Sequence, residues 1–378
     1  MQDTDPHPAT AERATLIADW LRLEQASGVG CRSAHALLSV FGAPRAIFDA
    51  GPAALSIHLG ASQAQALCAP VTPELASLTE ATLAWLAEPG HHLLTCHDLL
   101  YPAALAQIPD PPLLLYIAGR LETLARPRLA VVGSRNASVQ GRADAESFSA
   151  ALSGAGLCVV SGLALGIDTA AHEGALRGPG STIAVVGTGL DRVYPARNRA
   201  LAHRIAEQGC LVSEYGLGTP PLAANFPRRN RVISGLTAGV LVVEAAAQSG
   251  SLITAQMAAE QGREVFALPG SIHSALAKGC HRLIRDGAQL VETVEEILLA
   301  MQVSPLLALG QGQYTQAAAA SDADADLLGA LGHEPVALDD LFARFGSDTG
   351  ELGGRLLGLE LAGLVAQLPG GRVQRIWR

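Results

Sequence analysis

The middle of the chain alternates short apolar runs with stretches of helical periodicity. Runs rich in β-branched residues occur at 129–132, 158–160, 183–186, 211–212, 240–243 and 265–268, and 111–117 adds a further candidate strand. Most are followed by Gly or Ser and then by apolar residues at helical spacing. Apolar runs without polar alternation are typical of strands buried on both faces. Residues 91–302 are therefore predicted to form an α/β domain with an extended Rossmann-like, doubly wound, mostly parallel sheet.

The two flanks have different patterns. Residues 10–75 show helical spacing around the Gly-Val-Gly at 28–30, which predicts an N-terminal helical domain. Residues 303–323 are of low complexity, with a run of four alanines, and are predicted to be a flexible linker. Residues 324–378 contain three short amphipathic stretches and a hairpin pattern around Pro-Gly-Gly at 369–371, which predicts a winged helix.

Charge places the chemistry in the middle domain. The net charge of the 378 residues is −9, but acids and bases balance within 91–302 and the excess of acids lies in the flanks. A polyanion is therefore expected to bind the middle domain. No apolar run is long enough to cross a bilayer, and the first residues carry acids where a signal peptide needs bases. We expect a cytoplasmic protein without membrane contact.

Several functional classes lack their sequence signatures. The six cysteines are far apart with no Cys-x-x-Cys spacing, which argues against a zinc ribbon or a redox pair. Gly-Thr-Gly at 187–189 lacks the third glycine of the dinucleotide fingerprint, and no P-loop or Gly-x-Ser-x-Gly motif is present. Asp168 and His172 share a helical face, but no third metal ligand has matching spacing, so Asp168 is expected to be the helix N-cap. We expect no cofactor, no metal and no catalysis.

Candidate binding chemistry lies in the loops after the strands and in one basic segment. Gly133-Ser134-Arg135 and Ser161-Gly162 each follow a predicted strand, so they are expected at one edge of the sheet. The segment 226–231 places three arginines beside one phenylalanine. Guanidinium groups bind phosphates and an aromatic face stacks on a base, so single-stranded nucleic acid is the expected ligand. The alternative for Phe226 is a place in the core beneath the loop.

Six sequence blocks resemble, in their order, the signature of the DprA (Smf) family of DNA-processing proteins. They are Val-Val-Gly-Ser-Arg at 131–135, Ser-Gly-Leu-Ala-Leu-Gly-Ile-Asp at 161–168 with Ala171-His172, Gly-Leu-Asp at 189–191 with Tyr194-Pro195 and Asn198, Phe-Pro-Arg-Arg-Asn-Arg at 226–231, Ser-Gly-Ser-Leu-Ile-Thr-Ala at 249–255, and Leu-Pro-Gly at 268–270. The resemblance implies a protein of natural transformation that binds and protects incoming single-stranded DNA. It also implies loading of RecA recombinase onto strands coated by single-strand-binding protein, and a homodimer formed through the Rossmann domain.

The resemblance also implies the site residues. They are Gly133, Ser134, Arg135, Ser161, Gly162, Phe226, Arg228, Arg229, Asn230 and Arg231, to which we add Lys278, the only lysine in the chain. The N-terminal region resembles sterile-alpha-motif or helix-hairpin-helix modules, and the C-terminal region a DML1-like winged helix. His281 occupies a position where the family tends to carry asparagine. A histidine has a different set of donors and acceptors and adds a dependence on pH.

Alternatives from other classes remain. One is a Rossmann-type phosphoribohydrolase acting on nucleoside monophosphates, although Pro269-Gly270 continues as Ser-Ile-His rather than as that group's Gly-rich motif. Another is a regulator that binds duplex DNA through the winged helix, but the presumed recognition helix offers only Arg355 against two glutamates. We also expect residues 91–302 to bind single-stranded DNA without either flank.

Overall fold

The computed structural model of the chain describes residues 8–303, 322–331, 335–345 and 349–376. The predicted linker at 303–323 lies almost wholly outside the described residues.

A nine-stranded sheet forms the middle of the molecule, in the order β1-β2-β6-β5-β4-β3-β7-β8-β9. Its strands are β1 (His91–Thr95), β2 (Leu114–Gly119), β3 (Arg128–Val132), β4 (Cys158–Ser161), β5 (Thr182–Val185), β6 (Cys210–Ser213), β7 (Gly239–Val242), β8 (Glu264–Ala267) and β9 (Gln289–Leu290). The seven strands from β6 to β9 are parallel, and β1 and β2 are antiparallel additions at one edge. The predicted doubly wound sheet is confirmed, and the candidate strand at 111–117 is β2.

Helices cover both faces of the sheet. The helices of this region are α7 (Ala103–Ala106), α8 (Val139–Gly154), α9 (Ile167–Ala175), α10 (Arg199–Gln208), α11 (Asn225–Gly235), α12 (Ser251–Glu260), α13 (Lys278–Arg285) and α14 (Val294–Ala300). In β3, Ala130 and Val132 pack into the core on one face, and Leu129 and Val131 into the core on the other. Burial on both faces explains why these strands read as continuous apolar runs.

The order of the strands defines where ligands are expected. The chain leaves β3 to build β4, β5 and β6 on one side, and later returns to build β7, β8 and β9 on the other side. The point where the order reverses lies between β3 and β7. Loops that follow the parallel strands gather at their carboxyl ends, where open α/β sheets bind ligands.

The N-terminal region is helical, as predicted. It contains α1 (Pro8–Glu24), α2 (Cys31–Phe41), α3 (Pro44–Asp49), α4 (Gly51–Leu55), α5 (Ala61–Cys68) and α6 (Pro73–Leu86). Its core includes Leu21 and Leu37, and these share one apolar cluster with Leu114 and Tyr116 of β2. The helices thus bury part of the sheet and are expected to stabilise it, whereas DNA binding by residues 91–302 alone stays a prediction.

The described C-terminal residues form a winged helix, which confirms this prediction. They contain α15 (Asp322–Leu331), β10 (Val336–Ala337), α16 (Leu338–Phe345), α17 (Thr349–Leu361), β11 (Val365–Leu368) and β12 (Arg372–Arg375). β12 pairs with both β10 and β11, and a separate apolar core lies between this sheet and the three helices. Among all described residues, no helix is long and apolar enough to span a membrane.

Candidate nucleic-acid interface

The basic segment 226–231 is the first part of a helix rather than a loop. α11 runs from Asn225 to Gly235. Its N-terminus lies beside the loop that follows β5, because the side-chain Nδ2 of Asn225 donates a hydrogen bond of 3.0 Å to the Gly187 carbonyl. Helical geometry points neighbouring residues in different directions, since each residue is rotated by about 100° from the last. Arg229 therefore faces a different side of the helix from Arg228 and Arg231, which lie three residues apart and both approach the Glu214 carboxylate.

Phe226 lies half-buried at the carboxyl edge of the sheet, between the loop after β5 and the loop after β3. Its ring centroid is 5.5 Å from that of Tyr194, and the two rings are inclined at 45°. The guanidinium carbon of Arg135, in the loop after β3, lies 5.7 Å from the Phe226 centroid. Arg135 is exposed and makes no ion pair within the part of the chain that the structure describes. An aromatic surface and an unpaired cation are thus adjacent and open to solvent.

Arg228 is the exposed arginine of α11. Its side chain is 56 % exposed and lies 3.9 Å from the Glu214 carboxylate. Its guanidinium also reaches the Cys31 sulfur at the start of α2, at 3.8 Å. Because the contact with Glu214 is long and the group remains open to solvent, Arg228 can still offer donors to a phosphate.

Arg229 points inward, one residue further along the helix. It is 4 % exposed and donates a hydrogen bond to the Val185 carbonyl at the end of β5. Burial lowers its pKa to about 10, although the nearby Asp168 carboxylate opposes that change. A Cβ atom on Gly162 would collide with the Arg229 guanidinium, so the glycine allows this close approach. Arg229 therefore supports the loop after β4 from beneath, and its burial disfavours the predicted contact with DNA.

Arg231 also faces the interior. It is 5 % exposed, pairs with the buried Glu214 carboxylate and donates a hydrogen bond of 2.6 Å to the Asp110 carbonyl. A guanidinium that is held on both sides by protein oxygens has no free edge for a phosphate. The expected contact of Arg231 with DNA is therefore not supported, and its role is to join α11 to the segment before β2.

The loop after β4 uses its polar groups internally. The Ser161 hydroxyl donates to the Val131 carbonyl at 2.7 Å, and the Gly162 amide donates to the Asp168 carboxylate at 3.1 Å. The prediction that Asp168 is the N-cap of α9 is wrong, because Gly166 holds that position. Its carboxylate instead accepts from the amides of Gly162 and Ala164 and so shapes the loop. Neither Ser161 nor Gly162 has the free donor that a direct DNA contact needs.

His172 completes this buried support. The Thr182 hydroxyl donates its one proton to the Val159 carbonyl, so it can only accept from the ring. The His172 Nδ1 therefore donates to this hydroxyl, at 2.7 Å. Its Nε2 accepts from the Leu163 amide at 3.3 Å. Burial, with a smaller effect of the Arg229 charge, lowers the His172 pKa to about 3. The ring is therefore neutral and structural, and no cluster of potential metal ligands occurs in the described ranges.

The loop after β3 is also tightly held. The Ser134 amide donates to the Glu244 carbonyl at 2.7 Å, and a Cβ on Gly133 would collide with Ile167. Ser134 itself is 8 % exposed, and its hydroxyl accepts from the Asn136 amide at 3.2 Å. The loop thus brings Arg135 to the surface while its own small residues fill the interior.

Glu244 follows β7 at the reversal point of the sheet, and its role there was not predicted: the sequence suggested it only as a possible partner of Arg228 or Arg229. Its carboxylate accepts hydrogen bonds from the Ser138 amide at 2.9 Å and from the Ser138 hydroxyl at 2.6 Å, at the N-terminus of α8. In Rossmann folds that bind nucleotides, the helix N-terminus in this place holds a phosphate. Here a carboxylate of the protein takes that position. The available signal in the sequence was an acidic residue directly after the apolar run at 240–243.

Lys278 and His281 lie near the loop that follows β8, further along the same edge. Lys278 is exposed at the first position of α13 and donates to the Ile272 carbonyl. The His281 Nε2 donates to the Gly270 carbonyl at 2.9 Å, so the ring closes the loop between 270 and 281. Asn230 is half-buried and lies four residues after Phe226, hence on the same side of α11.

Together these features define a class of protein. It is an α/β protein of the Rossmann type whose usual phosphate position is closed by Glu244, and whose exposed rim carries cations beside an aromatic pair.

The comparisons with known proteins identify the family. The family model for DNA recombination-mediator protein A matches residues 92–302, and the model for the DprA winged helix domain matches residues 311–371. The chain belongs to the DprA (Smf) family, which confirms the resemblance seen in the sequence blocks.

Its relatives match over much of their length. Protein Smf of Escherichia coli is 46% identical over 301 residues, 78% of this chain and 80% of that protein. DNA processing protein DprA of Streptococcus pneumoniae is 51% identical over 201 residues, 53% of this chain and 71% of that protein. The crystal structure of the S. pneumoniae protein superposes with a TM-score of 0.65 at 38% identity and covers 75% of this chain and 97% of that one. A structure titled as showing the single-stranded DNA binding mode of the Helicobacter pylori protein has a TM-score of 0.51 at 29% identity, covering 56% and 96%.

Proposed function

We propose that this protein binds single-stranded DNA at the carboxyl edge of its sheet, through Arg135, Phe226 and Arg228. The observation that carries the proposal is the half-exposed Phe226 ring with the unpaired Arg135 guanidinium beside it. Base stacking on an aromatic ring tolerates every base, and a guanidinium binds phosphate through charge-assisted hydrogen bonds. The similar H. pylori protein, whose structure is described in terms of its single-stranded DNA binding mode, supports the same ligand.

Other predicted residues act at different distances from the strand. Gly133, Ser134, Ser161, Gly162, Arg229 and Arg231 position the two loops and α11, because their polar groups are engaged within the protein. Asn230 lies on the Phe226 side of α11 and offers an amide to a base or a sugar. Lys278 follows β8 and Arg135 follows β3, and β7 lies between these two strands of the sheet. Lys278 would therefore contact only a DNA strand that crosses the point where the strand order reverses.

The test is an anisotropy titration of the full-length protein with single-stranded and duplex oligonucleotides of equal length across a salt series. We expect tighter binding to the single strand, because the bases of a duplex are already stacked on each other. Each phosphate neutralised contributes about −0.7 to the slope of log affinity against log salt. Equal affinity for both forms, or an affinity that does not depend on salt, contradicts the proposal.

We further propose the finer role that the resemblance implies, in natural transformation. The bound strand is protected, and the protein, as a homodimer formed through the Rossmann domain, loads RecA recombinase onto strands coated by single-strand-binding protein. It acts in the cytoplasm and without catalysis or cofactor. RecA filament assembly on coated strands should be faster with the protein present, and sedimentation should give the mass of a dimer. Strand binding without faster assembly contradicts the loading role.

The position of Glu244 argues against the phosphoribohydrolase alternative. That activity needs a nucleotide phosphate to be held in the Rossmann crevice, and the carboxylate of Glu244 takes the N-terminus of α8. A phosphate in the same place would meet a like charge.

A further inference from the structure

The segment that follows β5 borders the proposed site, but none of the three residues of that site lies in it. It runs from Gly187 through Tyr194 to the start of α10 at Arg199. Tyr194 is 48% exposed, and its ring contacts that of Phe226 at a centroid distance of 5.5 Å. An exposed aromatic ring of this size usually finds burial or a partner. The two rings form a continuous aromatic surface, and the proposed site uses only the Phe226 ring.

A buried amide holds this segment against the rest of the site. Asn198 is 4% exposed and donates to the Leu163 carbonyl and the Thr169 hydroxyl, both at 2.9 Å. The loop after β4 and the segment after β5 are therefore joined. With Asn198 directed inward, its neighbours Arg197 and Arg199 are exposed on the outside of the turn.

The charges of these two arginines are balanced differently from those of their neighbours. Elsewhere the exposed arginines of this segment and helix are paired, Arg192 with Asp191 at 3.6 Å and Arg204 with Glu173 at 2.8 Å. Arg197 and Arg199 make no ion pair among the residues that the structure describes. They also lie at the N-terminus of α10, whose first turn contains no acid. Cations at this end of a helix are unfavourable, because the helix dipole is positive there.

We propose that Tyr194, Arg197 and Arg199 form an extension of the DNA site, which takes the part of a single strand that continues past Phe226 towards β5 and α10. Tyr194 stacks on a base, and the two arginines bind the phosphates beside it. The inference rests on the proposed function, since it lengthens the path of the same ligand. β3, β4 and β5 are adjacent in the sheet, so the path from Arg135 to this segment crosses about 10 Å, two strand intervals.

The experiment measures anisotropy of labelled oligothymidine of increasing length, in a salt series, with full-length variants. The double variant Arg197→Ala/Arg199→Ala should reduce the magnitude of the salt slope by about 1.4, two phosphates at about 0.7 each, on strands long enough to reach the extension. On the shortest strands that still bind, it should match the unchanged protein. The control is Arg204→Ala, on the same helix but paired with Glu173, which should leave the slope unchanged.

Tyr194 is tested by two substitutions. Tyr194→Leu should weaken binding to long strands several-fold with little change in the salt slope, and Tyr194→Phe should retain affinity because it keeps the ring. Thermal melting of each variant verifies folding, which the exposure of all three side chains favours.

Arg135→Ala, measured in parallel, separates the two claims. If it weakens binding while the double variant and Tyr194→Leu behave as the unchanged protein, the extension is wrong and the proposed function stands. If none of these variants alters binding, the proposed function itself is wrong.

Discussion

The arginines at the carboxyl edge of the sheet divide into two kinds by burial. Arg135 and Arg228 are exposed, whereas Arg229 and Arg231 are almost fully buried beside the carboxylates of Asp168 and Glu214. A buried charge is tolerated only when it is paired, and removing one member of a pair leaves the other without compensation. The same residue type is therefore available for binding in one position and has a structural role in the next.

We expect Arg229→Ala to destabilise the fold by about 1.5–3 kcal/mol, since it removes the hydrogen bond to the Val185 carbonyl and the positive charge near the buried Asp168 carboxylate. Arg135→Ala is the matched control and should change the free energy of unfolding by less than about 0.5 kcal/mol, as is usual at the surface. Urea denaturation followed by circular dichroism measures both. Equal stability of the two variants would show that Arg229 is not a structural residue.

His172 predicts a dependence of stability on pH. Its pKa is about 3 in the folded protein and 6.5 in the unfolded chain, so the unfolded state binds the extra proton first as pH falls. The contribution of the neutral ring is complete above pH 6.5 and decreases by about 1.4 kcal/mol per pH unit below it, until the folded pKa is reached. His172→Gln retains a donor and an acceptor without titrating, so it should lack this component.

The measurement is the free energy of unfolding of both proteins from pH 8 to pH 4. Other acids contribute to each curve, so the difference between the two proteins is the informative quantity. A difference that stays constant over this range would contradict the account of His172.

At the scale of the element, the strands could be predicted and the orientation of α11 could not. Runs such as 240–243 are buried on both faces, and burial leaves a direct mark on composition. The segment 226–231 shows its charges, but which arginine faces the interior depends on Glu214, Asp110 and Asp168, three acids that are distant in sequence. β1 and β9 also went unpredicted, because one is half-exposed and the other has only two residues.

Glu244 links two elements, β7 and α8, and its removal gives a third prediction. Glu244→Ala takes away the acceptor for the Ser138 amide and hydroxyl and should cost about 1.5–3 kcal/mol, the range for hydrogen bonds to charged groups. Glu260→Ala is the control, because Glu260 is exposed and accepts only from Gln256 in the next turn of its own helix. Chemical denaturation compares them, and equal effects would mean that the Glu244 contacts contribute nothing particular.

At the scale of the whole molecule, the two flanks relate differently to the sheet. The N-terminal helices share a core with Leu113, Leu114 and Tyr116. The apolar core of the winged helix, in the described ranges, contains only residues C-terminal to 326. The acidic composition predicts that neither flank is the main polyanion binder, but it contains no information on which flank packs against the sheet.

Truncation tests this difference. A chain that ends at Val303 should keep the single-stranded DNA affinity and melting temperature of the full-length protein. A chain that begins at residue 91 should melt at a lower temperature or aggregate, because it exposes the apolar side chains that α1–α6 cover. The reverse order of stability would contradict this division of the molecule.

The most direct test of the central claim is the salt dependence of single-stranded DNA binding by Arg135→Ala and by the full-length protein without substitutions. The loss of one charge-assisted phosphate contact should weaken binding about 10- to 100-fold at low salt and reduce the magnitude of the salt slope by about 0.7. Folding should be unaffected, since Arg135 is exposed and unpaired among the described residues. An Arg135→Ala variant with unchanged affinity and slope would show that the strand does not bind at this edge of the sheet.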